Sequence, residues 1–342
     1  MAIRKAVLCA ALTGGLVLGA AACSSSSSSS GSAAGSGTSG AASSGASSSA
    51  SHKFTVAFVP GNSTDPFFLS MEASGQAEAA KLGMGFTTQA AATYSPETQQ
   101  PILAAILARH PSALIVAPTD PDALNGTLAQ YHAAGIPIIT VDTTVSNTSL
   151  LTSRTTSDNA QGGAAAADSC ATAMKGTGSA AVIYTTPGTT TTNARGQAFI
   201  AEMKAKYPNV TVYSEFDNNA ESTATTQVSA LILAHPNLGC VFGTNDYAAE
   251  GAATAVGTAH AQARVDIAGY DAEPQLVSLL KNKTISIIIA QKPALEAQLA
   301  VEYAYDALTG KTGSIQSFVQ LPNVTMTSAD INEPSIAEWI YK

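Results

Sequence analysis

From Phe54 onward the chain alternates short runs rich in Val and Ile with longer stretches in which Ala, Leu and Met recur every three or four residues. The short runs are Phe54–Val59, Ala113–Ala117, Pro137–Val141, Ala180–Tyr184, Val210–Glu215, Gly239–Gly243, Val265–Gly269 and Ile285–Ala290. Near-continuous apolar runs of this length read as parallel strands buried on both faces, and the spacers, such as Pro66–Leu82 and Thr191–Lys206, read as the helices that cover them. Repeated βα units of this kind form doubly wound α/β sheets, whose ligands bind beyond the C-terminal ends of the strands. Pro118-Thr119-Asp120-Pro121 fits the end of a strand, with Asp120 capping a helix and Pro121 in its first turn. Phe54–Asp142 and Ala180–Asp271 each run through several such units and end on a strand followed by Asp, which predicts two similar lobes. Between them, Leu150–Thr156 reads as a crossing strand before Ser157-Asp158-Asn159 opens an Ala-rich helix.

The segment before this region carries an address. Arg4 and Lys5, an uncharged apolar stretch from Ala6 to Ala22, and small residues ahead of Cys23 fit a signal peptide over residues 1–22. The cysteine after the cut resembles a bacterial lipobox, with Ala20 where such signals usually carry Leu. Lipidation of Cys23 is the expectation, with an ordinary secretory signal as the alternative. The stretch is shorter than the roughly 20 residues needed to span a bilayer. Residues 23–52 then form a Ser/Gly/Ala linker that cannot bury enough apolar surface to offset folding entropy. A coil of that composition spans about 30 Å. The expected location is extracytoplasmic, anchored to the cell membrane.

Several function classes fall away. The formal charge of −8 becomes −10 once Arg4 and Lys5 leave with the signal, which disfavours nucleic acid as a ligand. The five histidines show no metal-binding spacing, and no nucleophile elbow, phosphate loop or dinucleotide fingerprint occurs, so no metal, no cofactor and no enzyme activity are expected. With Cys9 in the signal and Cys23 modified, Cys170 and Cys240 remain, either as a disulfide in an oxidising compartment or as two buried thiols.

A set of polar and aromatic residues falls at predicted strand ends or crossings: Asp65-Pro66-Phe67-Phe68, Asp142, Arg195, Asn245-Asp246, Asp271 and Gln291. Converging at one cleft, they supply paired donors and acceptors for adjacent hydroxyls, and phenyl faces for the C–H face of a sugar. Each also has a purely structural reading: Asp142 and Asp271 as helix caps, Phe67 and Phe68 as core, Arg195 as an ion-pair partner.

Taken together, the chain resembles the type I periplasmic sugar-binding proteins of bacterial ABC importers, the ribose- and galactose-binding family, over residues 54 to about 325. The motifs are Asp-Pro-Phe-Phe (65–68), Ala-Pro-Thr-Asp-Pro-Asp-Ala (117–123), Gly-Ile-Pro-Ile-Ile-Thr-Val-Asp (135–142), Ser-Asp-Asn-Ala-Gln-Gly-Gly (157–163), Arg-Gly-Gln-Ala-Phe (195–199), the run 234–246 ending in Gly-Thr-Asn-Asp, Gly-Tyr-Asp (269–271) and Ile-Ala-Gln (289–291). The resemblance implies two doubly wound parallel-sheet lobes joined by three hinge crossings near Thr155, Ala290 and Leu321. The lobes would comprise 53–154 with 291–321, and 155–290 with 322–342. It places Asp65, Phe67, Phe68 and Asp142 on one wall, and Arg195, Asn245, Asp271 and Gln291 on the other wall and hinge, with Phe216 and Tyr270 as further wall positions. Asp65 stands where the ribose binders have Asn, and Thr143 where they have Arg, so a neutral sugar or polyol, or a cationic amine, is favoured over an acidic ligand.

The function expected is that of a monomeric solute-binding lipoprotein that delivers a small neutral sugar or polyol to an ABC permease. A sensor with the same clamp, feeding a membrane receptor, is the alternative. The C-terminal stretch Ile331–Lys342, with Trp339, is expected to pack on the outside of the second lobe.

Overall fold

The computed structural model describes residues 52–341; the signal peptide, Cys23 and linker expected from the sequence lie outside the described residues. In chain order the first elements are β1 (Thr55–Val59), α1 (Pro66–Lys81), β2 (Gly85–Thr88), α2 (Pro96–Leu107), β3 (Ala113–Val116), α3 (Asn125–Ala133), β4 (Ile138–Val141) and β5 (Ser153–Ser157). Then follow α4 (Asn159–Ala173), β6 (Gly178–Tyr184), α5 (Thr190–Lys206), β7 (Val210–Phe216), α6 (Glu221–Ala234), β8 (Leu238–Gly243), α7 (Asp246–Thr258), β9 (Asp266–Tyr270), α8 (Pro274–Lys281) and β10 (Ile287–Ala290). The last are α9 (Pro293–Thr309), β11 (Val319–Leu321), β12 (Val324–Met326) and α10 (Pro334–Ala337).

The strands form two six-stranded sheets, ordered β2-β1-β3-β4-β5-β11 and β7-β6-β8-β9-β10-β12. All pairings are parallel except β10 with β12. Every residue of β3, β4 and β10 is buried, because helices cover both faces of the sheet there. The chain is thus two α/β lobes, each built around one sheet. It passes between sheets three times: at Asp158, between Ala290 and Pro293, and between Leu321 and Val324. The boundary expected between Arg154 and Thr155 lies inside β5, whose pairing with β4 and β11 keeps residues 155–157 in the first sheet.

Local chemistry sets the helix starts. Asp65 caps α1, its Oδ1 accepting from Phe67 N at 2.8 Å; Asp158 caps α4, Asn245 caps α7 and Glu273 caps α8 in the same way. Asp120 differs from expectation: α3 begins only at Asn125, and Asp120 Oδ1 instead accepts from Asp122 N and Ala123 N, closing a turn. Neither Asp142 nor Asp271 caps a helix. Each follows its strand in left-handed backbone, with φ of 57° and 82°, a conformation that Asp tolerates better than most residues.

A disulfide joins Cys170 of α4 to Cys240 of β8, with Cα atoms 5.5 Å apart, and ties the first helix after the crossing to its sheet. Close approach of α4 and α5 needs Gly163, where a Cβ would sit 2.0 Å from Arg195 O. The segment after β12 departs from expectation, because it does not stay on the outer surface. Trp339 lies under the Lys292 ammonium at 4.4 Å, Tyr341 N donates to Ala272 O at 3.0 Å, and the Tyr341 ring is buried beside the crossing at Gln291.

Candidate functional site

The C-terminal ends of the strands in both sheets face one another across a cleft, where such folds bind ligands, and its side chains leave only a small cavity. From the first lobe come Asp65, Phe67 and Phe68 at the start of α1, Tyr94 in the β2–α2 loop, and Asp142 after β4. The second lobe supplies Thr185 and Thr189 after β6, Thr191, Thr192 and Arg195 on α5, Asn219 after β7, Asn245 and Asp246 after β8, and Asp271 after β9. Gln291 stands at the crossing itself. The walls touch directly, with Thr144 N donating to Thr190 Oγ1 across the cleft at 3.2 Å.

Arg195 organises the second wall. Its side chain is only 2 % exposed; Nε donates to Asn159 Oδ1 at 2.7 Å and Nη1 to Thr244 O at 2.8 Å. The guanidinium lies 3.8 Å from the centroid of the Tyr270 ring, a cation–π contact that in a desolvated setting contributes about 2 kcal/mol. Nη2 approaches Asp142 Oδ1 at 3.8 Å and has no hydrogen-bond partner in the protein. Thus the arginine is held by three neighbours while one donor is left for the cavity. Gln291 is arranged similarly: Nε2 donates to Asp271 Oδ1 at 2.7 Å, and the buried Oε1 has no partner. Thr192 Oγ1 is a third buried polar atom without a partner.

Four carboxyl groups share this space with one guanidinium. Burial, then the charge of Asp271, pushes Asp65 up to about 8. Burial raises Asp142 to about 7 against the pull of Arg195. It also raises Asp271, against Arg195, Gln291 and Tyr341, and it raises Asp246, which further feels Asp65 and Asp271. Behind Asp142, buried Glu296 accepts from Asp142 N at 3.0 Å and from Ser157 Oγ at 2.8 Å, and burial lifts it to about 8. Near neutral pH the cleft therefore mixes carboxylates, which only accept hydrogen bonds, with carboxylic acids, which can also donate. The Phe67 and Phe68 rings meet edge to face at 5.2 Å and form the apolar part of the wall.

Of the residues singled out in the sequence, Asp65, Phe67, Phe68, Asp142, Arg195, Asn245, Asp271 and Gln291 line the cavity. Phe216 and Tyr270 do not. Phe216, at the end of edge strand β7, is partly exposed and packs on Tyr184 at 5.3 Å. Tyr270 is fully buried under Arg195, one layer behind the wall. Asp246 stood in the cleft set but was not carried to the wall, where it belongs. Unforeseen are Tyr94, Asn219 and the threonines. The run Thr-Thr-Pro-Gly-Thr-Thr-Thr-Thr (185–192) directly after β6 was the available signal for the last of these.

A sequence model of the periplasmic binding protein domain matches residues 56–312. The chain belongs to that family. Among its relatives, the ribose import binding protein of Bacillus subtilis is 29 % identical over 273 residues, covering 79 % of this chain and 86 % of the relative. The protein of the same description from Salmonella typhimurium is 30 % identical over 262 residues, covering 76 % and 86 %. Among solved structures, an ABC transporter solute-binding protein from Agrobacterium vitis, bound with α-D-tagatopyranose, superimposes with a TM-score of 0.82 at 35 % identity, covering 85 % of this chain and all of that one. This is therefore a type I periplasmic sugar-binding protein by family and by fold.

Proposed function

We propose that this periplasmic binding protein captures a small neutral sugar or polyol between its lobes and presents it to an ABC permease. One observation carries the reading. Arg195 Nη2, Gln291 Oε1 and Thr192 Oγ1 are buried without protein partners around a single cavity, beside two phenyl rings and four carboxyl groups. Buried polar atoms are nearly always hydrogen-bonded, so a pure donor, a pure acceptor and a hydroxyl converging on one space call for a ligand with several hydroxyls. The relatives named for ribose import and the structure holding tagatopyranose support the same ligand class. The three crossings make a hinge about which the jaws, 53–157 with 291–321 and 158–290 with 322–342, open and close, and ligand contacts on both jaws favour the closed state. The chain needs no reaction to do this. A lipid on Cys23 and the serine-rich linker hold the clamp at the outer face of the cytoplasmic membrane, near its permease.

The test is a thermal-shift panel on the mature protein with D-ribose, D-tagatose, D-arabinose, D-fucose, D-allose and myo-inositol, and putrescine as a cationic control, followed by calorimetry on any hit. At a thousandfold excess over Kd a ligand stabilises the folded state by about 4 kcal/mol. A clear rise in Tm with one of the sugars or polyols, abolished in Asp142→Ala, is the expected result. No shift with any of them, or a shift with putrescine alone, would overturn the reading.

A further inference from the structure

Tyr341 lies in the short segment after β12, outside the region matched by the family model, yet its hydroxyl bonds Asp271 and Gln291, which line the cleft. The hydroxyl donates to Asp271 Oδ1 at 2.9 Å and accepts from Gln291 N at 3.1 Å. Its ring is buried with its centroid 6.0 Å from that of Phe67, at the start of α1 in the opposite lobe. The segment is pinned on both sides of the crossing, by Tyr341 N donating to Ala272 O and by the Lys292 ammonium over Trp339.

We propose that this segment is a strap and that Tyr341 is a positioning residue, setting how Asp271 and Gln291 are presented to the ligand. The inference rests on the sugar-binding reading above. Its logic is one of donors and acceptors. Asp271 Oδ1 accepts from both Gln291 Nε2 and Tyr341 Oη, which fixes how its carboxylate is turned toward the cavity that Asp271 lines. Gln291, its amide N–H groups directed to Asp271, presents Oε1. Without the Tyr341 hydroxyl the carboxylate can rotate, the Gln291 amide follows it, and the pattern read by adjacent hydroxyls changes. Because the ring touches Phe67 of one lobe while the hydroxyl holds Asp271 of the other, the strap also favours the closed arrangement.

Tyr341→Phe tests this, because it keeps the ring against Phe67 and removes only the hydroxyl. Two readouts are taken on the mature chain. The first is calorimetry with whichever panel sugar binds the wild type, where loss of an oriented charged partner is expected to weaken binding about 10- to 100-fold. The second needs no ligand: a carboxyl ¹³C NMR titration of Asp271, which faces Asp65, Asp142, Asp246, Glu273 and Arg195. The hydroxyl favours the ionised form of Asp271, so the variant should protonate at higher pH. Unchanged affinity of the variant for a sugar that the wild type binds, or an unmoved Asp271 titration, overturns the strap. Failure of the wild type to bind any panel sugar overturns the sugar reading instead, and the titration then decides the strap alone.

Discussion

Arg195→Met keeps much of the side chain's apolar length and removes the only basic residue among those lining the cavity. The cost should depend on pH in a way that the geometry fixes. At 3.8 Å and an effective dielectric of about 20, the Arg195–Asp142 attraction is about 332/(20 × 3.8), or roughly 4 kcal/mol. That attraction operates only when Asp142 is ionised, and Asp142 titrates at about 7. At pH 5 it is largely protonated with or without the arginine, so this pair contributes almost nothing to the penalty. At pH 8 the wild type holds a carboxylate there, whereas the variant, its Asp142 raised further, keeps the proton. Proton uptake limits the extra penalty to the cost of protonating Asp142 one pH unit above its midpoint, about 1.4 kcal/mol. Asp271, also held down by Arg195, adds to it. The loss of the Tyr270 contact and of the bonds to Asn159 and Thr244 is the same at both pH values. Chemical denaturation of wild type and variant at pH 5 and pH 8 should therefore show a penalty larger at pH 8 by at least about 1.4 kcal/mol, equivalent to about 2 °C in Tm for a chain of this length. Equal penalties, or a larger one at pH 5, would refute the electrostatic account of this cleft.

The ligand-free wild type should itself lose stability as pH rises from about 5 to 8. Asp65, Asp142 and Glu296 titrate higher in the folded chain than in the unfolded one, so the folded state binds more protons across that window. Glu296→Gln should flatten part of that slope in a pH series of thermal melts; a slope that rises with pH would contradict the assignment. Gly162→Ala places a Cβ 2.3 Å from Tyr270 Oη and must push that ring away from Arg195, for about 1–3 kcal/mol of destabilisation and a measurable loss of sugar affinity by calorimetry. Reducing the Cys170–Cys240 disulfide releases a loop of 70 residues, and the chain-entropy relation gives about 4 kcal/mol. Melts with and without dithiothreitol should differ accordingly, and identical curves would mean that the bridge adds no stability.

The buried strands were legible because helices cover both faces of the sheets, which forces continuous runs such as Ile138–Val141 and Ile287–Ala290. Edge strand β2, Gly-Phe-Thr-Thr, carries no such signal, since a strand paired on one side only needs few apolar residues. Missing β2 also hid Tyr94 in the loop that follows it. The cleft residues at strand ends were readable because topology alone brings those ends together. Tyr270 misled for a related reason: it directly precedes Asp271, but the alternation of a strand turns its ring to the opposite face, under Arg195. Tyr341 was not readable, because it reaches Asp271 across 70 residues through an irregular segment that no periodicity announces.

Asp65 and Asn245 each use a side-chain oxygen to cap a helix and also line the cavity. Any change of ligand preference at these two positions is therefore confined to a short alphabet of Asp, Asn, Ser, Thr and Gly, since other residues forfeit about 1 kcal/mol of helix stability before any sugar is bound. Attempts to retarget the clamp would do better at Thr189, which lines the same space without holding a helix end by a side-chain bond.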